Sequence, residues 1–126
     1  MSAAAIYAVE GVLLVSITSD IIDSDIIDLQ DALSRRIAST QCRGVVVDIS
    51  ALEIVDTLVG GVLAQLTSIA RLLDAQTYVV GMRPAVAMTL VELGMYLPEN
   101  QTALTLSHAL EKMRQSGLVN GLRKGS

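Results

Sequence analysis

The residues best suited to chemistry in this chain are carboxylates and a hydroxyl that follow short apolar runs. Asp20 follows the run VLLVSIT, Asp48 follows VVV, and Asp56 and Thr57 precede a long apolar stretch. The pair Asp20 and Asp48 could bind a divalent metal, as the acids of a phospho-aspartate receiver do. The Thr57 hydroxyl could accept a phosphoryl group, although on residue type alone a helix N-cap is the simpler interpretation.

Buried strands and helices are needed to position these side chains. The run Val45–Val47 has no polar alternation, which is typical of a strand covered on both faces in a parallel sheet. Loops that leave parallel strands share one edge with the N-termini of the helices that follow, and ligands and anions usually bind there. We therefore expect one edge to gather Asp20, Asp48, Asp56, Thr57 and Arg83.

The order of elements predicts an α/β fold. An initial hairpin turns at Glu10 and Gly11, and strands then alternate with helices in the order β-β-α-β-α-β-α-β-α. Such alternation implies a mostly parallel mixed sheet with about four helices. The length of 126 residues fits one domain, which we place at 1–118, with a flexible tail at 119–126. Ser107 is expected to cap the last helix.

The helix that starts near Thr57 is expected to be almost wholly buried. Apolar residues from Leu58 to Leu73 recur at helical spacing and form a wide stripe, so little of this helix should face water. Gly60 and Gly61 interrupt it, at a cost of roughly 0.5–1 kcal/mol each relative to Ala. Either another backbone approaches closely there, or the glycines only allow tight packing on the sheet.

Composition narrows the classes of function. The net charge is −4 with only two lysines, Lys112 and Lys124, so direct nucleic-acid binding is not expected. Hydrophobic residues make up 52% of the chain, and part of that surface should cover a partner, so we expect an oligomer. No signal peptide and no membrane span are expected. The single Cys42 excludes an internal disulfide, and a cytoplasmic location fits.

No enzyme motif stands out. The chain lacks both the P-loop pattern and the dinucleotide-binding glycine pattern, and its one histidine, His108, has no evident catalytic partner. The receiver hypothesis also departs from its pattern, because Ser19 and Asp20 offer one acid rather than two and Lys112 falls inside the final helix. We therefore predict a protein without catalytic activity and without a cofactor or metal.

Two motifs resemble one known family. The segment DISALEIVDTLVGGVL, which contains Asp56 and Thr57, and the segment VGMRPAVAMTLVELG, at 80–94, are similar to the signatures of STAS domains, the anti-sigma-factor-antagonist family. The similarity extends over about residues 6–117 and is strongest to the scaffold subunits of bacterial stressosomes. It implies a non-catalytic scaffold that forms homodimers and larger assemblies.

The resemblance also implies partners and a modification site. The partners would be R-type STAS co-scaffold paralogues, a serine/threonine switch kinase of the RsbT type, and a PPM-type phosphatase that resets the scaffold. The family's phosphoacceptor, commonly serine, matches Thr57, and Thr89 lies where R-type paralogues carry a second acceptor. The sheet edge predicted from the element order, with Asp20, Asp48, Asp56 and Arg83, would bind the partner.

The resemblance leaves two alternatives open. The chain could be an antagonist with a single partner, in a small complex with a kinase-type anti-sigma factor. It could also be a receiver-like or small-ligand-binding module.

Overall fold

The computed structural model describes residues 4–18, 23–53, 55–94 and 102–116. Within these ranges the chain forms an α/β fold with one mixed sheet. The elements in chain order are β1 (Ala4–Val9), β2 (Val12–Ile17), α1 (Asp23–Thr40), β3 (Gly44–Asp48), α2 (Thr57–Leu72), β4 (Gln76–Val80), α3 (Pro84–Glu92), β5 (Thr102–Ala103) and α4 (Leu106–Ser116). The predicted tail at 119–126 lies outside the described residues.

The five strands lie side by side in chain order. β1 pairs with β2 in an antiparallel hairpin, and β2 to β5 are parallel. The hairpin turns at Glu10 and Gly11, which both have positive φ, at 47° and 87°. Two such residues in a two-residue loop match the right-handed twist of the flanking strands. The predicted α/β class and hairpin are confirmed.

Two hydrophobic layers cover the sheet. The larger layer lies between the sheet and the helices α1, α2 and α3, and it includes Val45, Val47 and Leu66. The smaller layer, which includes Val46 and Met113, packs against α4. Because Val45 to Val47 alternate between the two layers, the central strand is buried on both faces, as its continuous apolar run predicted.

The start of the last helix differs from the prediction. α4 begins at Leu106, and the hydroxyl of Thr105 accepts a hydrogen bond from the backbone N–H of His108, at 3.2 Å. Thr105 therefore caps the helix in place of Ser107. The two hydroxyl residues are two positions apart in the sequence, and the short β5 strand ends early enough for the first of them to serve.

Candidate functional site

The loop between β3 and α2 is held by hydrogen bonds within itself and by a hydrogen bond to the neighbouring strand β4. An Asp48 carboxylate oxygen accepts a hydrogen bond from the backbone N–H of Ser50, at 2.9 Å. The N–H of Ile49 donates to the carbonyl of Val80 in the neighbouring strand, and that of Leu52 donates back to Ile49, each at 3.0 Å. Leu52 is fully buried. These bonds fix the path of the chain toward the start of α2.

Asp56 caps α2. Its backbone is extended, and its carboxylate oxygen accepts a hydrogen bond from the N–H of Val59, at 3.0 Å. The sequence allowed either Asp56 or Thr57 to cap this helix, and the structure assigns the cap to Asp56. Thr57 is consequently the first helical residue, is exposed, and makes no side-chain hydrogen bond within the described part of the chain.

An open groove lies beside Thr57, between α1 and α2. It has a volume of about 480 Å³. Its walls include exposed apolar side chains: Ile27 is 67% exposed and Leu58 is 36% exposed. Gly61 also lines it, and a β-carbon there would meet no described atom within 4 Å. The side-chain amides of Gln30 and Gln65 hydrogen-bond across the two helices.

The prediction that α2 is almost wholly buried is wrong. Leu58, Leu72 and Leu73 at its ends are 36%, 86% and 40% exposed. A helix that packs on a sheet buries one face, and among the described elements α2 packs chiefly on α1 and β4. The apolar residues on the other positions of α2 therefore remain available to a partner.

The structure separates the two glycines of α2. Gly60 is buried, whereas Gly61 faces the open groove. Tight packing inside the chain can therefore explain Gly60 but cannot explain Gly61. The absence of a side chain at Gly61 leaves the groove open beside Thr57.

Arg83 connects a second segment to the loop between β3 and α2, which we call the acceptor loop after the phosphoacceptor predicted at Thr57. Its guanidinium Nε and Nη2 donate hydrogen bonds to the carbonyl of Ser50, at 3.3 and 3.2 Å. Gly81, two residues earlier, has φ of +76°, and a β-carbon there would lie 2.7 Å from the Ser50 Cβ and 3.0 Å from Asp48 Oδ1. The segment after β4 thus packs directly against the loop that leads to Thr57.

The structure brings most of the predicted edge together. Asp48, Asp56 and Thr57 share the β3–α2 connection, and Arg83 binds that connection directly. Asp20 lies outside the described residues. Neither the groove nor the contact between Gly81 and Ser50 was predicted from the sequence. An Asp-x-Ser sequence after a strand signals the turn at Asp48, but only the tertiary fold brings Gly81 to it.

Thr89 has a different environment. It is half-buried in α3, and its hydroxyl donates a hydrogen bond to the carbonyl of Ala85, at 3.0 Å. Such a bond to the preceding turn is common for threonine inside a helix. The Thr89 hydroxyl is therefore less available to a partner than that of Thr57.

Charge at the acceptor loop is mostly negative. Asp48, Glu53 and Asp56 lie in or beside it, whereas the three ion pairs among the described residues lie elsewhere: Arg35 with Asp31, Arg43 with Asp74 and Arg114 with Glu111. The guanidinium of Arg83 binds a carbonyl rather than a carboxylate. Added negative charge at Thr57 would therefore increase repulsion in an acidic neighbourhood.

The described residues, 4–18, 23–53, 55–94 and 102–116, contain neither a metal cluster nor a membrane-spanning helix. Within those ranges, no three histidine, cysteine or acidic side chains are grouped so that they could hold a metal ion. No helix in the same ranges is both long enough and apolar enough to cross a bilayer.

Comparison with known proteins identifies the family. A family model for the STAS domain matches residues 3–109. The structure of RsbS from Moorella thermoacetica, in a form with one serine replaced by glutamate, is 35% identical and superimposes with a TM-score of 0.81 over 92% of this chain and 98% of that one. A chain from a structure of the stressosome, described as a signal integration and transduction hub, is 35% identical, with a TM-score of 0.82 over 90% of this chain and 98% of that one.

A curated relative extends the comparison. The RsbT co-antagonist protein RsbRA of Bacillus subtilis is 34% identical over 67 residues, which are 53% of this chain and 24% of that protein. The chain belongs to the STAS family, and it is similar in sequence and fold to stressosome proteins over nearly its whole length.

Proposed function

We propose that this chain is a stressosome-type scaffold that holds a serine/threonine kinase of the RsbT type and releases it when Thr57 is phosphorylated. The observation that carries the proposal is the exposed Thr57, whose hydroxyl makes no hydrogen bond to any described residue and lies at the mouth of the open α1–α2 groove. The similarity to RsbS over nearly the whole chain supports the same role. No catalytic activity of the chain itself is involved.

The groove offers the kinase a docking surface. Ile27 and Leu58 provide exposed apolar contacts, and Gly61 leaves room for a partner side chain or backbone to approach α2 closely. Contiguous exposed apolar surface commonly marks a protein interface. The kinase would thus be held beside the residue that it modifies.

Phosphorylation would act through charge. A phosphate adds about −1.5 to −2 charges at pH 7. The N-terminus of α2 tolerates that charge because of the helix dipole, so the fold should survive. Asp48, Glu53 and Asp56 would then share the surface with the phosphate, and a partner that fits the unmodified surface would lose affinity.

Arg83 would serve this site as a positioning residue. It binds the Ser50 carbonyl and so restrains the loop that carries Asp56 and Thr57. Asp48 has a similar role through its bond to the Ser50 N–H. The residues of the predicted partner-binding edge would therefore act largely by holding the loop that exposes the Thr57 hydroxyl. Thr89 would be at most a secondary phosphoacceptor.

The similarity to a stressosome chain and to RsbRA supports assembly with R-type paralogues, and a PPM-type phosphatase would reset the scaffold. Light scattering of the chain mixed with an R-type paralogue and the kinase distinguishes the alternatives. A large shell favours the scaffold, whereas a small complex with one kinase-type partner favours a single-partner antagonist.

The decisive experiment combines phosphosite mapping with kinase binding. Incubation with the kinase and ATP should place one phosphate on Thr57, and Thr57→Ala should remain unmodified and keep the kinase bound. Thr57→Ser keeps the hydroxyl and is the matched control that should still be phosphorylated. Thr57→Glu should bind the kinase about a hundredfold more weakly, which corresponds to about 2.7 kcal/mol. Equal affinity of Thr57→Glu and wild type would refute the release mechanism.

A further inference from the structure

A cavity opens where the parallel strands β4 and β5 end, between the helices α3 and α4. Its volume is about 340 Å³, at the lower end of the roughly 300–1,000 Å³ that is typical of small-molecule sites. This α3–α4 cavity shares no described lining residue with the α1–α2 groove beside Thr57. Open α/β sheets usually bind ligands at the carboxyl ends of parallel strands. The cavity is therefore a candidate ligand site apart from the proposed kinase groove.

The walls of the α3–α4 cavity are mostly apolar. Met82 and Leu104 follow the two strands, and Pro84 and Ala87 belong to the first turns of α3. Leu104 is 79% exposed, so a large apolar side chain stands at the rim without cover from the rest of the described chain. A ligand with an apolar body would remove this surface from water, which is favourable.

A lysine lies on the wall of the same cavity. The ammonium of Lys112 donates a hydrogen bond to the carbonyl of Thr102, at 2.7 Å, and lies 5.9 Å from the centre of the Tyr78 ring. These two contacts hold the half-buried side chain in place. None of the ion pairs among the described residues includes Lys112, although the chain carries a net charge of −4. An ammonium has three N–H donors, so donors remain for an anionic ligand.

Two further features favour an anion at this cavity, and none of its described lining residues is acidic. Helix α3 begins there at Pro84 with no acidic residue in its first turn and no side-chain cap, so the positive end of its dipole is not offset. The His108 Nδ1 atom accepts a hydrogen bond from the N–H of Leu104, at 3.3 Å, so the neutral ring carries its proton on Nε2. That N–H is a further donor on the cavity wall.

We propose that the α3–α4 cavity binds a small organic monocarboxylate. The carboxylate pairs with the ammonium of Lys112, and the apolar body packs against Met82, Ala87 and Leu104. At roughly 30 Å³ for each water-sized unit, the cavity holds about eleven such units, so a ligand of about ten non-hydrogen atoms fits. Binding does not depend on phosphorylation, so Thr57→Glu should bind the ligand as wild type does.

The first test uses octanoate as the probe, because it has ten non-hydrogen atoms and a single carboxylate. Isothermal titration calorimetry of the full chain, without a kinase, should show saturable binding at one site per chain. Acetate keeps the charge but lacks the apolar body, and 1-octanol keeps the chain but lacks the charge. Each of these two compounds should bind at least about tenfold more weakly than octanoate.

The second test removes the charge at the cavity wall. Lys112→Met keeps an unbranched apolar stem and should weaken octanoate binding about tenfold or more, while 1-octanol binding stays unchanged. Arg114→Met is the matched control, because it removes a positive charge from the same helix at a residue that does not line the cavity. It should bind octanoate as wild type does. Circular dichroism melts report whether each variant is folded.

The third test fills and locates the cavity. Ala87→Leu places a large side chain in the space and should abolish octanoate binding, whereas Ala85→Leu, on an exposed position of the same helix outside the cavity lining, should not. In methyl NMR spectra of the wild-type chain, octanoate should shift the signal of Met82 and leave that of the exposed Met88 in place.

Several results would overturn the proposal. Octanoate could show no saturable binding at millimolar concentration, or 1-octanol could bind as tightly, which would leave the cavity without selectivity for an anion. Octanoate could also bind Lys112→Met and wild type equally, or shift the Met88 signal in place of that of Met82. None of these results bears on kinase release at Thr57, which is measured with the kinase present.

Discussion

Substitution of Gly81 by alanine tests whether the segment after β4 supports the acceptor loop. Gly81 has φ of +76°, and the added methyl carbon would lie 2.7 Å from the Ser50 Cβ, 3.0 Å from the Ser50 backbone nitrogen and 3.0 Å from Asp48 Oδ1. The methyl group would therefore push directly on the turn that the Asp48–Ser50 hydrogen bond closes. The backbone N–H of Gly81 also donates to the Leu104 carbonyl, at 3.2 Å, which limits movement in the opposite direction.

The expected loss of stability has two parts. A left-handed conformation costs a residue with a side chain roughly 1–2 kcal/mol. Overpacking against a surface that cannot move freely adds roughly 1–3 kcal/mol. Gly81→Ala should therefore lower the free energy of unfolding by about 2–5 kcal/mol. At roughly 3 °C per kcal/mol for a chain of this size, the melting temperature should fall by about 6–15 °C.

Gly94 is a matched control. It has nearly the same φ, +78°, but an added β-carbon would meet no described atom within 4 Å. Gly94→Ala should therefore cost only the roughly 1–2 kcal/mol of backbone strain. Urea denaturation followed by circular dichroism measures both variants, with the slope m showing that the unfolded states are comparable. Equal losses for Gly81→Ala and Gly94→Ala would refute the close contact between Gly81 and the acceptor loop.

Three further predictions follow from other positions. Gly61→Ala should raise the free energy of unfolding by about 0.5–1 kcal/mol, because the added methyl group enters open space on a helix. The same variant should bind the kinase more weakly if the groove is the docking surface. Unchanged binding in a pull-down titration would argue against that surface. Thr77→Val should stabilise the chain by about 1 kcal/mol in urea denaturation, because the buried Thr77 hydroxyl has no hydrogen-bond partner among the described residues. A loss of stability in this variant would contradict the prediction. Burial raises the pKa of Tyr78 above its ordinary 10.0, against a smaller lowering effect of its hydrogen bond with Gln76. The stability contributed by neutral Tyr78 should thus be complete below pH 10 and decline as the pH rises through the higher folded-state pKa, and Tyr78→Phe should lose this decline in melts measured against pH.

The order and type of the main elements could be predicted from sequence alone, because each has a strong local signal. The continuous valines at 45–47 are typical of a strand that is buried on both faces. Pro84 has the φ that the first turn of a helix requires, and Gly94 follows α3 with the positive φ that glycine allows. The sequence likewise predicts that Asp56 and Thr57 lie at the start of a helix, since capping depends on residues only a few positions apart.

The details of the site depended on contacts between distant segments. Either Asp56 or Thr57 could serve as the cap, and only the structure shows that Asp56 does so, which leaves the Thr57 hydroxyl without a hydrogen bond to any described residue. That loop is held by Arg83 from 33 positions away, and the groove needs a wall from α1. The spacing of apolar residues shows which of them share one face of α2. Which part of that helix is buried, and that the side at Gly61 is open, depends on the elements that pack against α2 in the tertiary structure.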